Sequence, residues 1–166
     1  MGGASRIASQ VSPLHKATHM RVHDFYSDTK SKPTMQMRRT VLDCVVGDEQ
    51  QDEDPTTSEL CARVAKLLGK EAAVFMPSGT MCNEIAIRVH TKPGDEIICD
   101  SSCHIINFET GGPAALSGVM IRAIDGKNGQ FTAEQTRECI RYNSRYDPRT
   151  SLVCVEQTCN MGKHHL

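Results

Sequence analysis

The sequence predicts an α/β domain built on a mostly parallel sheet with helices on both faces. After two helical segments, short apolar runs alternate with stretches of helical periodicity, the order that produces strand–crossover–strand units. Nearly every change of period carries a turn signal: Gly69, Pro77-Ser78-Gly79, Pro93-Gly94-Asp95, Gly111-Gly112-Pro113 and Asp125-Gly126. The 166 residues suit one domain with a core that needs no disulfide or metal.

Residues 34–46 read as a helix, with Met35, Met37, Val41, Leu42 and Val45 in a rough stripe. Residues 47–55 form a polar loop whose Asp48, Glu49, Asp52, Glu53 and Asp54 read as solvated charge, with cation binding as the alternative. Residues 56–69 read as a second helix, stopped by Gly69. Ala72–Met76 is a short apolar run and predicts a strand, followed by a helix over Thr80–His90. Glu96–Cys99 predicts a strand, and Asp100-Ser101-Ser102 caps a short helix reaching Phe108. Val119–Ile124 predicts another strand. Thr132-Ala133-Glu134-Gln135 has the form of a capping box for a helix to about Tyr142, and Ser151–Glu156 reads as the last strand.

Composition removes several functions. Nineteen basic against 20 acidic side chains leave a net charge of -1, which lacks the basic excess that drives nucleic-acid binding. No apolar run approaches the ~20 residues of a bilayer-spanning helix. Eight cysteines contain no C-x-x-C pair, and those in apolar runs, such as Cys99 and Cys154, read as buried free thiols. Reduced thiols suit an intracellular compartment. A zinc site from Cys99, Cys103 and His104 with Cys159 or His164 lacks a closely spaced ligand pair, so no metal is expected. Residues 1–23 hold no acid; they read as a disordered leader or, as the alternative, a weak organellar presequence, giving a cytoplasmic location with a mitochondrial alternative.

In parallel α/β sheets ligands bind beyond the carboxyl ends of the strands. Three segments lie there: Pro77–Asn83, Asp100–Glu109 and Glu156–Asn160. Ser78-Gly79-Thr80 between a strand and a helix suits a phosphate facing backbone N–H groups, or else is an ordinary capped helix start. His104 is either structural or a ring that lies on a planar cofactor or moves protons. Glu109 could orient it or be solvated. Ser27-Asp28-Thr29 looks like a capping segment.

Taken together and in order, these segments resemble one family. The carrying residues are Phe25-Tyr26-Ser27-Asp28-Thr29, Pro33-Thr34, Gly47-Asp48 with Glu53-Asp54-Pro55-Thr56, and Leu67-Leu68-Gly69-Lys70-Glu71-Ala72-Ala73. They continue through Phe75-Met76-Pro77-Ser78-Gly79-Thr80-Met81-Cys82-Asn83, Pro93-Gly94-Asp95-Glu96-Ile97-Ile98-Cys99, His104-Ile105, Glu109-Thr110-Gly111-Gly112 and Val155-Glu156-Gln157-Thr158. Residues 24–162 are similar to the amino-terminal part of the low-specificity threonine aldolases, in the β-eliminating lyase group of fold-type-I pyridoxal-phosphate enzymes. The resemblance implies an incomplete fold-type-I large domain and pyridoxal 5'-phosphate as cofactor. By the same resemblance Ser78, Gly79 and Thr80 hold the cofactor phosphate, His104 stacks on its ring, and Ser27 contacts the substrate carboxylate. The implied reaction cleaves a β-hydroxy-α-amino acid, threonine or allo-threonine, to glycine and an aldehyde. A homo-oligomer with sites at subunit interfaces is also implied, so that this chain needs a full-length partner.

Several positions depart from the family pattern. The family's cofactor-linking lysine and the aspartate paired with the ring nitrogen are expected beyond Leu166, and none of Lys30, Lys32, Lys66, Lys70, Lys92, Lys127 and Lys163 has the lysine's context. No Schiff-base lysine is therefore expected within this chain. Cys159 stands where the family has a histidine, and Gln51 where it has a tyrosine. Residues 163–166 read as a divergent tail. Two functions follow: a threonine-aldolase-type lyase, or a truncated and catalytically inactive member that binds cofactor or partner without turnover.

Overall fold

The computed structural model describes Asp24, residues 26–142 and residues 144–162. The leader, Phe25, Asn143 and the 163–166 tail, including His164 of the zinc alternative, lie outside the described residues. The chain divides into two compact units, with the boundary between Thr56 and Thr57.

The first unit is held by local caps. The Ser27 hydroxyl accepts from the Thr29 amide at 3.3 Å and opens a 3-10 turn over Asp28–Lys30. Helix α1 (Met35–Asp43) starts where Thr34 accepts from the Met37 amide at 3.2 Å. The acidic loop is a closed structure: Asp48 caps the turn Glu49–Gln51 through the Gln50 amide, and Asp54 accepts from the Gly47 amide at 3.2 Å. Two of the acidic side chains thus serve the backbone.

Helix α2 (Pro55–Leu68) starts on a proline, whose missing N–H costs nothing in the first turn. It ends where Gly69 adopts φ +61 and the Lys70 amide returns to the Ala65 carbonyl at 2.9 Å. The sequence predicts a strand over Ala72–Met76, but the segment is extended without a ladder, with Val74 and Phe75 exposed. An apolar run becomes a strand only when a neighbour takes up its N–H and C=O groups, and no strand among the described residues does so here.

Helix α3 (Gly79–His90) is capped by Ser78, whose hydroxyl accepts from the Met81 amide at 3.1 Å. The second unit is then organised by strand β1 (Glu96–Asp100), every residue of which is buried. Short helix α4 (His104–Asn107) follows, then a π-helical turn at Pro113–Ser117 where the sequence suggests only a break, and strand β2 (Met120–Ile124). Helix α5 (Ala133–Cys139) has the expected capping box from Thr132 and Gln135 but stops short of Tyr142. Strand β3 (Thr150–Val153) also stops short of the expected Glu156. The sheet order is β2-β1-β3, with both pairings parallel.

The core lies on one face of β1. Ile97 and Cys99 alternate onto that face and pack with Ile87 of α3, Cys103, Ile105 of α4 and Val119. The start of β1 is clipped by ion pairs. Arg141 Nε reaches both carboxylate oxygens of Glu96 at 3.1 and 3.0 Å, and Arg149 Nε donates to Asp95 Oδ1 at 3.0 Å. The chain leaves β1 toward β2 on one side, and β3 lies on the other, so the sheet has its switch point between β1 and β3.

The hydrogen-bonded Arg149 guanidinium holds the Asp95 carboxyl down from 3.8 to about 2. Because the folded value is the lower one, the pair's stabilisation is present above 3.8 and is lost as the pH falls toward about 2. Arg149→Met is expected to flatten the acid limb of the stability profile in that window, read as urea midpoints by circular dichroism.

Candidate functional site

The site forms at the switch point, from the segments that follow β1 and β3 and from the first turns of α3. His104 is the first residue of α4, and its backbone N–H donates to Glu156 Oε2, three residues past β3, at 3.1 Å. One hydrogen bond therefore ties the two strand-end segments together across the crevice. His104 Nδ1 lies 2.7 Å from Glu109 Oε1, and its side chain keeps 35% of its surface exposed while that of Glu109 keeps 0%. The ring also meets Phe108, with centroids 5.3 Å apart and planes inclined by 40°. The sequence left Glu109 open between orienting His104 and being solvated; it is buried against the imidazole.

Asn83 carries the connection to α3. Its Nδ2 donates to Glu109 Oε1 at 2.6 Å, so helix α3 and His104 hold the same carboxylate. Asn83 lies one helical turn beyond Thr80. Ser78, Gly79 and Thr80 are exposed at the amino end of this 12-residue helix, with no acid in its first turn and nothing within 4 Å of where a Gly79 side chain would begin. An open, positively polarised helix end of this kind suits a phosphate dianion. An open cavity of about 310 Å³ runs along α3 from Asn83 to His90 and is closed by Cys103, His104, Cys154 and Glu156 among others; among the described residues no lysine lines it.

Glu84, next to Asn83, is buried at 6% exposure. Burial and then the adjacent Glu109 carboxylate push its carboxyl up from 4.5 to about 7. Gly112 makes room for it: a β-carbon there would clash with the Glu84 carboxyl group. Gly112 has ordinary helical dihedrals of -50 and -48, so space and not backbone conformation requires glycine.

The other candidates fall elsewhere. Ser27 belongs to the first unit, where its hydroxyl lies 2.9 Å from that of Thr29. Cys159 is buried, with its sulfur 3.3 Å from the Ser102 hydroxyl, and Gly129 and Gly162 leave the space it fills. The eight cysteines are free thiols. Cys99 hydrogen-bonds Cys103, which raises the first thiol and lowers the second to about 7, and burial lifts Cys154 to about 11. Among the described residues no group of three or more His, Cys, Asp or Glu is placed to hold a metal ion. In the sequence Asn83 and Gly112 carry the family resemblance without an assigned role, and Glu84 carries none. The signal for Glu84 was an acid three residues from Ile87 on the buried face of a helix.

Residues 24–165 match the family model described as beta-eliminating lyase. The chain belongs to the beta-eliminating lyase family. Within it, the chain is 41% identical over 139 residues to a probable low-specificity L-threonine aldolase of Schizosaccharomyces pombe, covering 82% of this chain and 37% of that protein. It is 38% identical over 143 residues to low-specificity L-threonine aldolase 1 of Arabidopsis thaliana, covering 84% and 40%. Against the low specificity L-threonine aldolase of Escherichia coli K12 the identity is 34% over 138 residues, covering 82% and 41%. A solved threonine aldolase from Leishmania major superposes with a TM-score of 0.64 at 20% identity, covering 77% of this chain and 38% of that one. The chain thus spans about two fifths of the length of these relatives, and its fold is part of the fold-type-I architecture. The beta-eliminating lyase family implies pyridoxal-phosphate dependence. The residues present fit that group: an open helix end for a dianion, and a half-exposed imidazole fixed from behind.

Gly112→Ala is expected to destabilise the second unit by about 1–3 kcal/mol, the range for forced overpacking. In a Glu84→Ala background the same substitution should cost much less, and a double-mutant cycle of unfolding free energies measures the difference.

Proposed function

We propose that this chain supplies the phosphate cradle and the ring-stacking histidine of a threonine-aldolase-type lyase. The reaction of the whole protein is cleavage of a β-hydroxy-α-amino acid, threonine or allo-threonine, to glycine and an aldehyde. The observation that supports this most is the Asn83–Glu109–His104 connection, which couples the amino end of α3 to the ring at the switch point. Pyridoxal phosphate, when bound, supplies an electron-withdrawing ring that accepts the bonding pair released at the amino acid's α-carbon.

The work of the chain's own residues follows from their positions. The Ser78 hydroxyl accepts from the Met81 amide and retains its own hydrogen for a phosphate oxygen, beside the Gly79 and Thr80 N–H groups. His104 offers a ring face held against rotation by Glu109, and the Glu156 contact fixes its backbone. An imidazole face laid on an electron-poor ring stabilises by stacking. Ser27 in the first unit is assigned to the substrate carboxylate. The assembly is a homo-oligomer, and the location cytoplasmic, with a mitochondrial alternative.

A second reading is favoured by one feature: among the described residues no lysine lines the cavity beside His104. In this reading the chain binds cofactor without covalent attachment and is catalytically inactive by itself, although family members turn over.

Two measurements test these readings. Ser78→Ala with Thr80→Val should weaken pyridoxal-phosphate binding to this chain about tenfold or more, as expected when hydrogen bonds to a charged group are lost. Fluorescence titration reads that affinity, and an unchanged value removes the cradle. Borohydride treatment of the chain with pyridoxal phosphate should give no stoichiometric adduct at a single lysine. A unique adduct together with glycine release from allo-threonine would show that this chain is active by itself.

A further inference from the structure

Three carboxylate oxygens at the site are buried without an N–H or hydroxyl partner among the described residues: both oxygens of Glu84 and Oε2 of Glu109. The backbone holds the two acids side by side: Asn83, next to Glu84, donates to Glu109 Oε1 at 2.6 Å, and Gly112, against which the Glu84 carboxyl lies, donates its N–H to the Glu109 carbonyl at 2.8 Å. Two carboxylates cannot hydrogen-bond one another, but a carboxylic acid and a carboxylate can. A buried ionised pair with no other donors on those atoms would combine mutual repulsion with an uncompensated desolvation cost.

The surroundings decide which carboxyl carries the proton. Glu109 Oε1 accepts from Asn83 Nδ2 at 2.6 Å and faces His104 Nδ1 at 2.7 Å, so two groups stabilise its charge. Glu84 has no such support. Its carboxyl lies against the Cα of Gly112. Arg88, one turn further along α3, is exposed, and the residues of the turn Pro113–Ser117 and of β3, which pack on α3, carry no ionisable side chain.

We propose that Glu84 is a positioning residue that stays protonated and donates to Glu109 Oε2, so that Glu109 is a single anion with both oxygens satisfied and holds His104 as the Nδ1–H tautomer. The role assigned here rests on His104 being the ring-stacking residue; the shared proton itself rests only on the buried geometry. The arrangement leaves Nε2 without a proton and keeps the imidazole plane fixed before any ligand arrives. Gly112 belongs to the same device, because any side chain there would displace the Glu84 carboxyl from its place.

The protein's own titration tests this. The Glu84 carboxyl rises from 4.5 to about 7 in the folded chain, so its contribution to stability is complete below 4.5 and is lost as the pH climbs through about 7. The parent chain should therefore lose stability over that interval. Glu84→Gln, whose amide donates at every pH, should remove this loss and keep the ¹⁵N signature of an Nδ1–H, bare-Nε2 imidazole at His104. Glu84→Leu should lose that fixed signature if it folds. The ¹³C shift of the Glu84 carboxyl in the parent should report ionisation near 7 and not near 4.5. Ionisation near 4.5, or the same pH-dependent loss in Glu84→Gln as in the parent, overturns the proposal. Loss of the slope in Glu84→Gln supports it even where His104→Ala leaves pyridoxal-phosphate binding unchanged, an outcome that would reject the stacking role alone.

Discussion

The complete burial of strand β1 is the constraint on which the second unit depends. Its five residues have no solvent-facing side, so side chains must be covered on both faces and the backbone paired along both edges. The two parallel neighbours meet the second demand, and Ile87, Ile105 and Val119 meet much of the first. Burial also brings acids into the interior. Glu96, inside the strand, and Asp95, just before it, are tolerated because Arg141 and Arg149 reach them with directed hydrogen bonds. The carboxyl end of the same strand delivers His104. The stiffness of the site is therefore inherited from the strand.

The chemistry at that end is governed by one buried carboxyl group. Glu109 receives Asn83 from one helix and His104 from another, and the backbone of His104 is tied in turn to Glu156 beyond β3. A helix that presents its open amino end, a short helix that presents an imidazole, and the segment beyond β3 are thus registered to each other through a few charge-assisted hydrogen bonds. Membership of the beta-eliminating lyase family gives this geometry a chemical context. The geometry in turn explains why a carboxylate one turn beyond the histidine is useful there.

Much of this was legible in the sequence where local signals and burial agree. The Thr132–Gln135 capping box, the Ser78 cap and the apolar run ending at Cys99 each form as their residues suggest. The misread strands share one physical cause, namely that a strand is a property of a pair. Ala72–Met76 has the apolar composition of a strand but no ladder partner among the described residues, and β3 stops at Val153 although the apolar run continues through Val155. In the site, His104 and Glu109 could be suspected from their spacing on one short helical segment. Asn83, Glu84 and Gly112 could not, because their roles arise only when α3 packs beside a segment 25 or so residues away, a separation visible in the Asn83–Glu109 bond that spans 26 positions. Glu84 in particular looks like a misplaced surface acid until the carboxyl facing it is known.

The arginine clips on β1 also have a kinetic consequence. Arg141 and Arg149 lie 45 and 54 positions beyond the acids they bind. Closing loops of that length has an entropic cost that local helices avoid, and parallel pairing gives no contact until the whole crossover is in place. Loop closure therefore favours β1–β2 pairing before β3 joins β1. Helix α3 and the β1–β2 pair can assemble while the crevice that would receive a ligand does not yet exist. During synthesis the interval between the emergence of β1 and that of β3 leaves one edge of the most deeply buried strand uncovered, which is when a nascent chain of this design most needs a chaperone.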